Sequence, residues 1–240
     1  MLARKLQGAG GLVGASSGSA IDLQLDLVSS SAPTGFTLQY AGNSPYYQMN
    51  STHGFQTGGN ASGFAYPGQG TDALDENKDW LIQASVLVTN ACSDPAIGVW
   101  RESAGRTAPT WSWFGSNSTV VSTQLNCHTY QMLNTPIGGS NSSGLGSGYG
   151  SGVYYTLHLW YFSGSAAGVK AHCTIGQNDW AFTGTKLGGT NARYKGYSWT
   201  GDVYWGLGSD FDNQILGTSS TNFNAVRVRE HVSGVPAWPS

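Results

Sequence analysis

The sequence predicts an all-β fold, an antiparallel β-sandwich. Residues 153–162 read VYYTLHLWYF, and aromatic and β-branched side chains of this kind favour pleated strands. A turn of small residues follows, and residues 169–175 then alternate strictly, with Val169, Ala171, Cys173 and Ile175 on one face and Lys170, His172 and Thr174 on the other. Strict alternation is typical of a strand with one buried and one solvated face. The polar face, including His172, is therefore expected to lie in solvent.

The composition favours short strands and tight turns over long helices. Charged residues make up 10% of the chain, whereas about 25% is usual. Long helices normally carry such residues on their solvated faces, so they are not expected here. Glycine contributes 35 of the 240 residues, and a chain of this length can bury a full core in one domain.

The charge distribution argues against two classes of partner. The net charge is −2 and the sequence contains no basic stripe, whereas sequence-independent phosphate binding needs clustered lysine and arginine. No apolar run is long enough to span a bilayer. We therefore expect neither nucleic-acid binding nor membrane insertion.

Further strands are predicted on both sides of the hairpin at residues 153–175. Residues 80–88 are apolar on both faces in places, which is typical of a central strand. Residues 50–72 are predicted to be irregular, and the Ser- and Gly-rich residues 140–152 to be a flexible surface loop. The other predicted strands lie within residues 21–27, 35–49, 96–102, 110–114, 119–133, 202–207 and 223–230.

The three cysteines, Cys92, Cys127 and Cys173, have no metal-binding spacing. Cys173 lies on the apolar face of its strand, and Cys127 has the same parity as the apolar residues that precede it. Both are predicted to be small buried hydrophobic residues. A Cys127–Cys173 disulfide stays open as an alternative.

Residues 1–20 are predicted to form an extended, Gly-rich N-terminal arm, and residues 21–240 the sandwich domain. Gln7 and the glycines after it interrupt any apolar stretch, so no export signal is expected. A disordered leader is the plain alternative, whereas an assembly arm would dock on a neighbouring subunit. The residues expected to make that contact form a short basic and apolar head, Leu2, Arg4, Lys5 and Leu6.

Several segments together carry a resemblance to a known family. The strand at 79–88 precedes one at 96–102, the hairpin has a small-residue turn, and Trp205-Gly206-Leu207-Gly208 ends a strand before the Phe-x-x-Val-Arg-Val segment at 223–228. In strand order and residue type, residues 21–232 resemble the concanavalin A-like (laminin G-like) lectins and glucanases. The resemblance implies an antiparallel jelly-roll β-sandwich.

The Gly-, Ser- and Asn-rich sandwich behind an arm is also similar to virion proteins of phages that carry lectin-like modules. This likeness implies a virion structural protein, either a capsid decoration or a tail-fibre or tail-associated protein. Its partners would be other virion proteins, copies of itself and host-surface glycans. The alternative is a stand-alone carbohydrate-binding lectin module, and a glycoside hydrolase is a third hypothesis.

Hydrolytic chemistry is not expected. Glucanases of this family carry Glu-x-Asp-x-(x)-Glu on one strand, and retaining hydrolysis needs two carboxyl groups about 5–5.5 Å apart. The chain has no such motif, since its glutamates are Glu76, Glu102 and Glu230. The acidic run at residues 72–79 is predicted to be a solvated loop. The protein is therefore not expected to be an enzyme.

No cofactor is expected, with calcium as the weaker alternative. Asp210 and Asp212 flank Phe211, so an extended backbone would turn both carboxylates toward one ion. Asp and Asn also favour turns for their own reasons. His158 and His172 are predicted on neighbouring strands, but no ligand spacing supports a metal site there.

Aromatic residues cluster in the second half of the chain, Trp180 among them. Tyr194, Tyr197 and Trp199 are flanked by Gly, Lys and Ser, so exposed rings are expected. Sugars stack their C–H faces on such rings, and these three residues are the predicted glycan-binding site. The alternative is core packing or subunit contact, in which aromatic residues are also common.

Overall fold

A computed structural model describes the parts of the chain that build the sandwich. These are residues 22–31, 36–42, 46–52, 54–58, 61–67, 74–75, 77–88, 95–102, 121–125, 129–134, 139–144, 152–163, 168–189, 202–209 and 221–231. They contain strands, turns and bends but no helix, and hence no helix that is long and apolar enough to cross a membrane.

The described residues form fifteen strands, which confirms the all-β prediction. They are β1 (Asp22–Asp26), β2 (Phe36–Gly42), β3 (Tyr46–Asn50), β4 (Gly54–Gly58), β5 (Ala61–Pro67), β6 (Trp80–Val88), β7 (Pro95–Glu102), β8 (Val121–Leu125), β9 (Thr129–Asn134), β10 (Gly139–Gly144), β11 (Val153–Phe162), β12 (Gly168–Ile175), β13 (Thr185–Gly189), β14 (Asp202–Ser209) and β15 (Thr221–Glu230).

Two predictions of irregular structure are wrong. Residues 50–72 contain β4 and β5, and the Ser- and Gly-rich segment begins with β10, which pairs with β9. Small polar residues have little strand preference of their own. Their conformation follows from the neighbouring strand, whose backbone groups they satisfy.

The strands form two antiparallel sheets. The eight-stranded sheet runs β13-β12-β11-β6-β15-β4-β3, with β1 also paired to β15, and the seven-stranded sheet runs β10-β9-β8-β7-β14-β5-β2. Strands distant in sequence are neighbours in both sheets, as β6 and β15 are. This crossing connectivity agrees with the jelly-roll prediction.

The hydrophobic core lies on the inner face of the eight-stranded sheet. Ala84 lies opposite Leu157 on one side and opposite Val226 on the other, and Leu157 also lies opposite Cys173. All four side chains are fully or almost fully buried. Ile97, Trp205 and Leu207 join this cluster from the seven-stranded sheet. Cys173 is a free thiol whose pKa is raised by burial, so it is the buried hydrophobic residue that the alternation predicts.

Two strands share one edge of β15. Its first residues pair with β4, and Ala225 onward pair with β1. The change of partner occurs at a bulge near Asn224. Gly54 lies beside this bulge with a φ of 93°, and a Cβ there would be 2.2 Å from the carbonyl oxygen of Phe223. Only glycine fits this close approach.

Candidate functional site

The outer face of the hairpin formed by β11 and β12 is buried, which corrects the prediction for His172. His158, His172 and Thr174 have no exposed surface, although the alternation placed His172 and Thr174 in solvent. The segment at residues 176–184, which joins β12 to β13, folds back across this face. We call it the β12–β13 loop. The loop buries this face, and the alternation of residues within the strand cannot predict that a later segment covers it.

Asp179 anchors the β12–β13 loop. One carboxylate oxygen, Oδ1, accepts hydrogen bonds from the Thr183 backbone N–H at 2.8 Å and from its hydroxyl at 3.1 Å. The other, Oδ2, accepts from the Thr174 hydroxyl at 2.8 Å and the Gly184 N–H at 2.9 Å. Burial would raise the pKa of Asp179, but the hydrogen bonds from Thr183, Thr174 and Gly184 outweigh it and lower the pKa.

A hydrogen-bonded chain runs beneath the loop, from β15 to Asp179. Arg229 donates from Nη2 to Oε1 of Gln83, so the Gln83 amide nitrogen faces His158 Nδ1, at 2.8 Å. This nitrogen can only donate, and Nδ1 must therefore accept. The proton of His158 is then on Nε2, which donates to the Thr174 hydroxyl at 2.8 Å, and Thr174 donates onward to Asp179.

Burial shifts the pKa values of two groups in this hydrogen-bonded chain, His158 and Arg229. The pKa of His158 is lowered to about 3, chiefly by burial, with Asp179 opposing the shift and His172 and Arg229 adding to it. His158 is therefore neutral near pH 7. Burial also lowers the pKa of Arg229, to about 10, which leaves its guanidinium charged. Arg229 uses that charge to hold the Trp180 carbonyl at 2.7 Å.

Two hydroxyls hold the start of the loop. Thr156 donates to the Gly176 carbonyl at 2.8 Å and accepts from the Asp179 N–H at 3.0 Å. Ser85 accepts from the Asn178 N–H at 3.2 Å. The loop thus satisfies polar groups of three adjacent strands, β6, β11 and β12, which would otherwise be buried without partners.

Phe182 inserts its ring between the side chains of the outer face. It makes edge-on contacts with His158, Trp160 and His172, with ring centroids 4.8, 5.6 and 5.2 Å apart. Its φ is 57°, and Asn178 has a φ of 55°. A left-handed phenylalanine is unusual and is retained only where its surroundings determine it. The contacts of the ring with His158, Trp160 and His172 supply that determination.

The end of the loop also depends on a close contact. A Cβ at Gly184 would lie 2.3 Å from the Ile175 carbonyl oxygen and 3.0 Å from Asp179 Oδ2. A larger residue at this position would therefore displace the segment that Asp179 holds.

The loop forms an open groove of about 460 Å³ on the protein surface. Trp180 lines it with a partly exposed side chain, and the neighbouring Gln177, Asn178 and Thr183 are exposed. Ile175, 40% exposed, lies at its margin. The groove thus combines one aromatic residue, neutral polar groups and the Asp179 carboxylate, on a backbone that hydrogen bonds hold from below.

The titratable groups of the site are already engaged in hydrogen bonds within the protein. Asp179 offers about four acceptor positions, and four donors already occupy its oxygens. His158 pairs with His172 across β11 and β12, and both nitrogens of His158 are hydrogen-bonded. Among the residues that the structure describes, no three His, Cys, Asp or Glu side chains are grouped to hold a metal.

The predicted site residues are outside the part of the chain that the structure describes. In the sequence, Tyr194, Tyr197 and Trp199 fall between β13 and β14, Asp210 and Asp212 follow β14, and Leu2, Arg4, Lys5 and Leu6 precede β1. The network of Gln83, His158, Asp179 and Arg229 was not predicted from the sequence. One signal was available: Gln83 and His158 are polar residues inside strands whose other residues are mostly apolar.

Comparisons with known proteins establish the fold. No protein-family model matches the sequence, and no curated protein shows significant sequence similarity. Arcelin-5, a lectin-like defence protein from Phaseolus vulgaris, is 8% identical, with a TM-score of 0.58 over 87% of this chain and 98% of its own. The carbohydrate recognition domain of Emp47p is 11% identical, with a TM-score of 0.57 over 91% of this chain and 100% of its own.

Lectin I from Ulex europaeus, solved with the methyl glycoside of α-L-fucose, is 11% identical, with a TM-score of 0.57 over 87% of this chain and 98% of its own. The match in each case spans nearly the whole of the known chain, so the likeness concerns the complete fold. The protein therefore has the concanavalin A-like lectin fold that the sequence resemblance predicts.

Proposed function

We propose that this protein is a non-enzymatic, lectin-like component of a phage virion that binds glycans on the host surface. One observation carries the glycan-binding part. The sandwich corresponds to essentially complete lectin chains, including one solved with a fucose glycoside. Function cannot be read from a fold alone, so the proposal also draws on the chemistry of the described site.

That chemistry favours binding over catalysis. A general acid or base needs a titratable group with a free position near the substrate. The carboxylate of Asp179 is saturated by hydrogen bonds, and the neutral His158 is fully buried. These groups support a rigid surface, which is what recognition of a ligand requires.

The virion location is supported by the sequence. The chain is rich in glycine and poor in charge, and a short basic and apolar head precedes the sandwich. In this proposal residues 1–20 dock on other virion proteins or on copies of the same chain. Several copies on one particle would convert a weak affinity for a single sugar into strong attachment through avidity.

A glycan array tests the binding function directly. The whole chain is applied with calcium and, in parallel, with EDTA. Binding to a defined set of glycans is the expected result, and the absence of binding to any glycan would refute the function. Binding that is lost with EDTA would point to a calcium site, for which Asp210 and Asp212 are the candidates.

Light scattering tests the assembly part. The solution mass of the whole chain is compared with that of a variant lacking residues 1–20. An oligomer that depends on these residues is expected. Monomers in both samples, together with unchanged glycan binding, would instead favour the stand-alone lectin.

A further inference from the structure

We propose that the groove of the β12–β13 loop is a binding site for uncharged saccharides, with Trp180 as the surface on which the sugar ring stacks. This inference rests on the proposed glycan-binding function and adds a location and a ligand class. The site lies on the outer face of the eight-stranded sheet. Its residues precede Tyr194, Tyr197 and Trp199, the predicted glycan-binding residues, in the sequence.

The size of the groove suits a small ligand. Its volume of about 460 Å³ falls within the roughly 300–1,000 Å³ of small-molecule sites. The groove is open along the surface, so a longer chain could lie through it with only one or two of its units in contact.

The groups in the groove match the two kinds of surface that a sugar presents. The indole of Trp180 is a large, flat apolar surface with a polar edge, suited to the C–H face of a sugar ring. The side-chain amides of Gln177 and Asn178 each offer donors and an acceptor to sugar hydroxyls. Both side chains are exposed at the rim, and so is that of Thr183.

The charge of the groove selects against anionic sugars. Asp179 is the acidic residue in the lining, and no basic residue lines the groove among the described residues. Its oxygens are occupied by Thr174, Thr183 and Gly184, so it offers a sugar hydroxyl no free acceptor. Its negative charge would still repel a carboxylate or sulfate group nearby. An uncharged saccharide is not repelled in this way.

The loop is already ordered for binding. Arg229 holds the Trp180 carbonyl, Ser85 holds the Asn178 N–H, and the ring of Phe182 fixes the turn from below. A ligand that binds such a surface does not have to order it, and the entropic cost of binding is lower. This accounts for an extensive network beneath a loop that performs no proton transfer.

The test uses the whole chain on an array of neutral oligosaccharides and their sialylated counterparts, followed by titration with the strongest neutral binder. Trp180→Ala is expected to weaken binding at least about tenfold, because the stacking surface is lost. Trp180→Phe keeps a ring and should retain most of the affinity. Gln177→Ala, a change of an exposed side chain that should not disturb folding, is expected to weaken binding by about threefold.

The outcomes separate this inference from the broader function. Neutral binding that Trp180→Ala and Gln177→Ala leave unchanged would overturn the groove as the site while keeping the protein a lectin. Preference for sialylated glycans would overturn the ligand class. An array with no binding at all would remove the function on which the inference rests. Thermal unfolding of each variant verifies that lost affinity does not reflect lost structure.

Discussion

The two faces of the β11–β12 hairpin are equally buried but by different means. On the inner face, Leu157 and Cys173 pack against apolar side chains that include those of the second sheet. On the outer face, His158 and His172 lie under the β12–β13 loop, which joins two strands of the same sheet. Apolar burial is non-directional, whereas each buried polar group needs a particular partner. The inner face should therefore be sensitive to the volume that its side chains fill, and the outer face to the hydrogen bonds that its side chains make.

The largest effect is expected from removing volume on the inner face. Leu157→Ala should lower the free energy of unfolding by about 4 kcal/mol, since a buried leucine leaves a cavity in the centre of the sheet. Urea denaturation measures this loss. The matched control is Ile175→Ala at a partly exposed position on the neighbouring strand, for which less than about 1 kcal/mol is expected. Equal losses for the two variants would contradict the assigned core.

Acid should distinguish the two faces. The ordinary pKa of His158 is 6.5 and burial lowers it to about 3, so between these values the unfolded chain takes up a proton that the folded chain refuses. Stability is therefore lost as the pH falls from 6.5 toward 3. By pH 4 the loss should be on the order of 3 kcal/mol.

Urea denaturation at pH 7 and pH 4 measures this acid effect. His158→Gln, which cannot titrate, should lose most of the pH dependence, whereas Leu157→Ala should keep it. The same slope in wild type and His158→Gln would show that His158 is not the group responsible.

A smaller effect is expected at the anchor of the loop. Asp179→Asn replaces an acceptor oxygen with a donor group, so at least one partner among Thr174, Thr183 and Gly184 loses its hydrogen bond. We expect a loss of about 2 kcal/mol and faster hydrogen exchange at residues 176–184, measured by mass spectrometry. The pKa of Asp179 is lower in the folded protein than its ordinary value of 3.8, so the ionised carboxylate stabilises the fold above that pH and the contribution is lost as the pH falls. Asp179→Asn should therefore also lose this part of the acid dependence below pH 4. Unchanged exchange in the loop would contradict the anchoring role.

The smallest effect is expected at the edge of the same sheet. Asp22 accepts two hydrogen bonds from Arg227, at 2.8 and 2.6 Å, but the Asp22 side chain is 47% exposed. Exposed ion pairs contribute little, so Asp22→Asn should cost about 0.5 kcal/mol in urea denaturation, and less at high salt. A loss as large as that of Asp179→Asn would contradict the expectation that an exposed ion pair contributes little to the free energy of unfolding.

The inner face could be predicted from the sequence and the outer face could not. Alternation in residues 169–175 identified Cys173 as buried, and the apolar run at 80–88 matched β6 to the residue. The same alternation placed His172 in solvent, because periodicity describes a strand and its sheet but not a later segment that covers them. The Phe182 ring contacts His172, and nothing in the spacing of Phe182 indicates where its loop returns.

The candidate site escaped prediction for a related reason. Its parts are Gln83 on β6, His158 on β11, Asp179 in the loop and Arg229 on β15, which are far apart in the chain and share no motif. Only the sheet order β12-β11-β6-β15 brings them into one row. Side-chain types alone suggested exposed aromatic residues, and Trp180 was one member of that larger group.

The position of β6 between β11 and β15 has a consequence for synthesis on the ribosome. Gln83 meets His158 75 residues later in the chain and Arg229 146 residues later. At the usual rate of about 5–20 residues per second, β6 waits on the order of 10 seconds for its last neighbour. Throughout that interval its open edge could pair with another nascent chain. Gln83 and Ser85 are polar and become buried only in the finished sheet. They should make the unpaired strand less prone to aggregate than an entirely aliphatic strand would be.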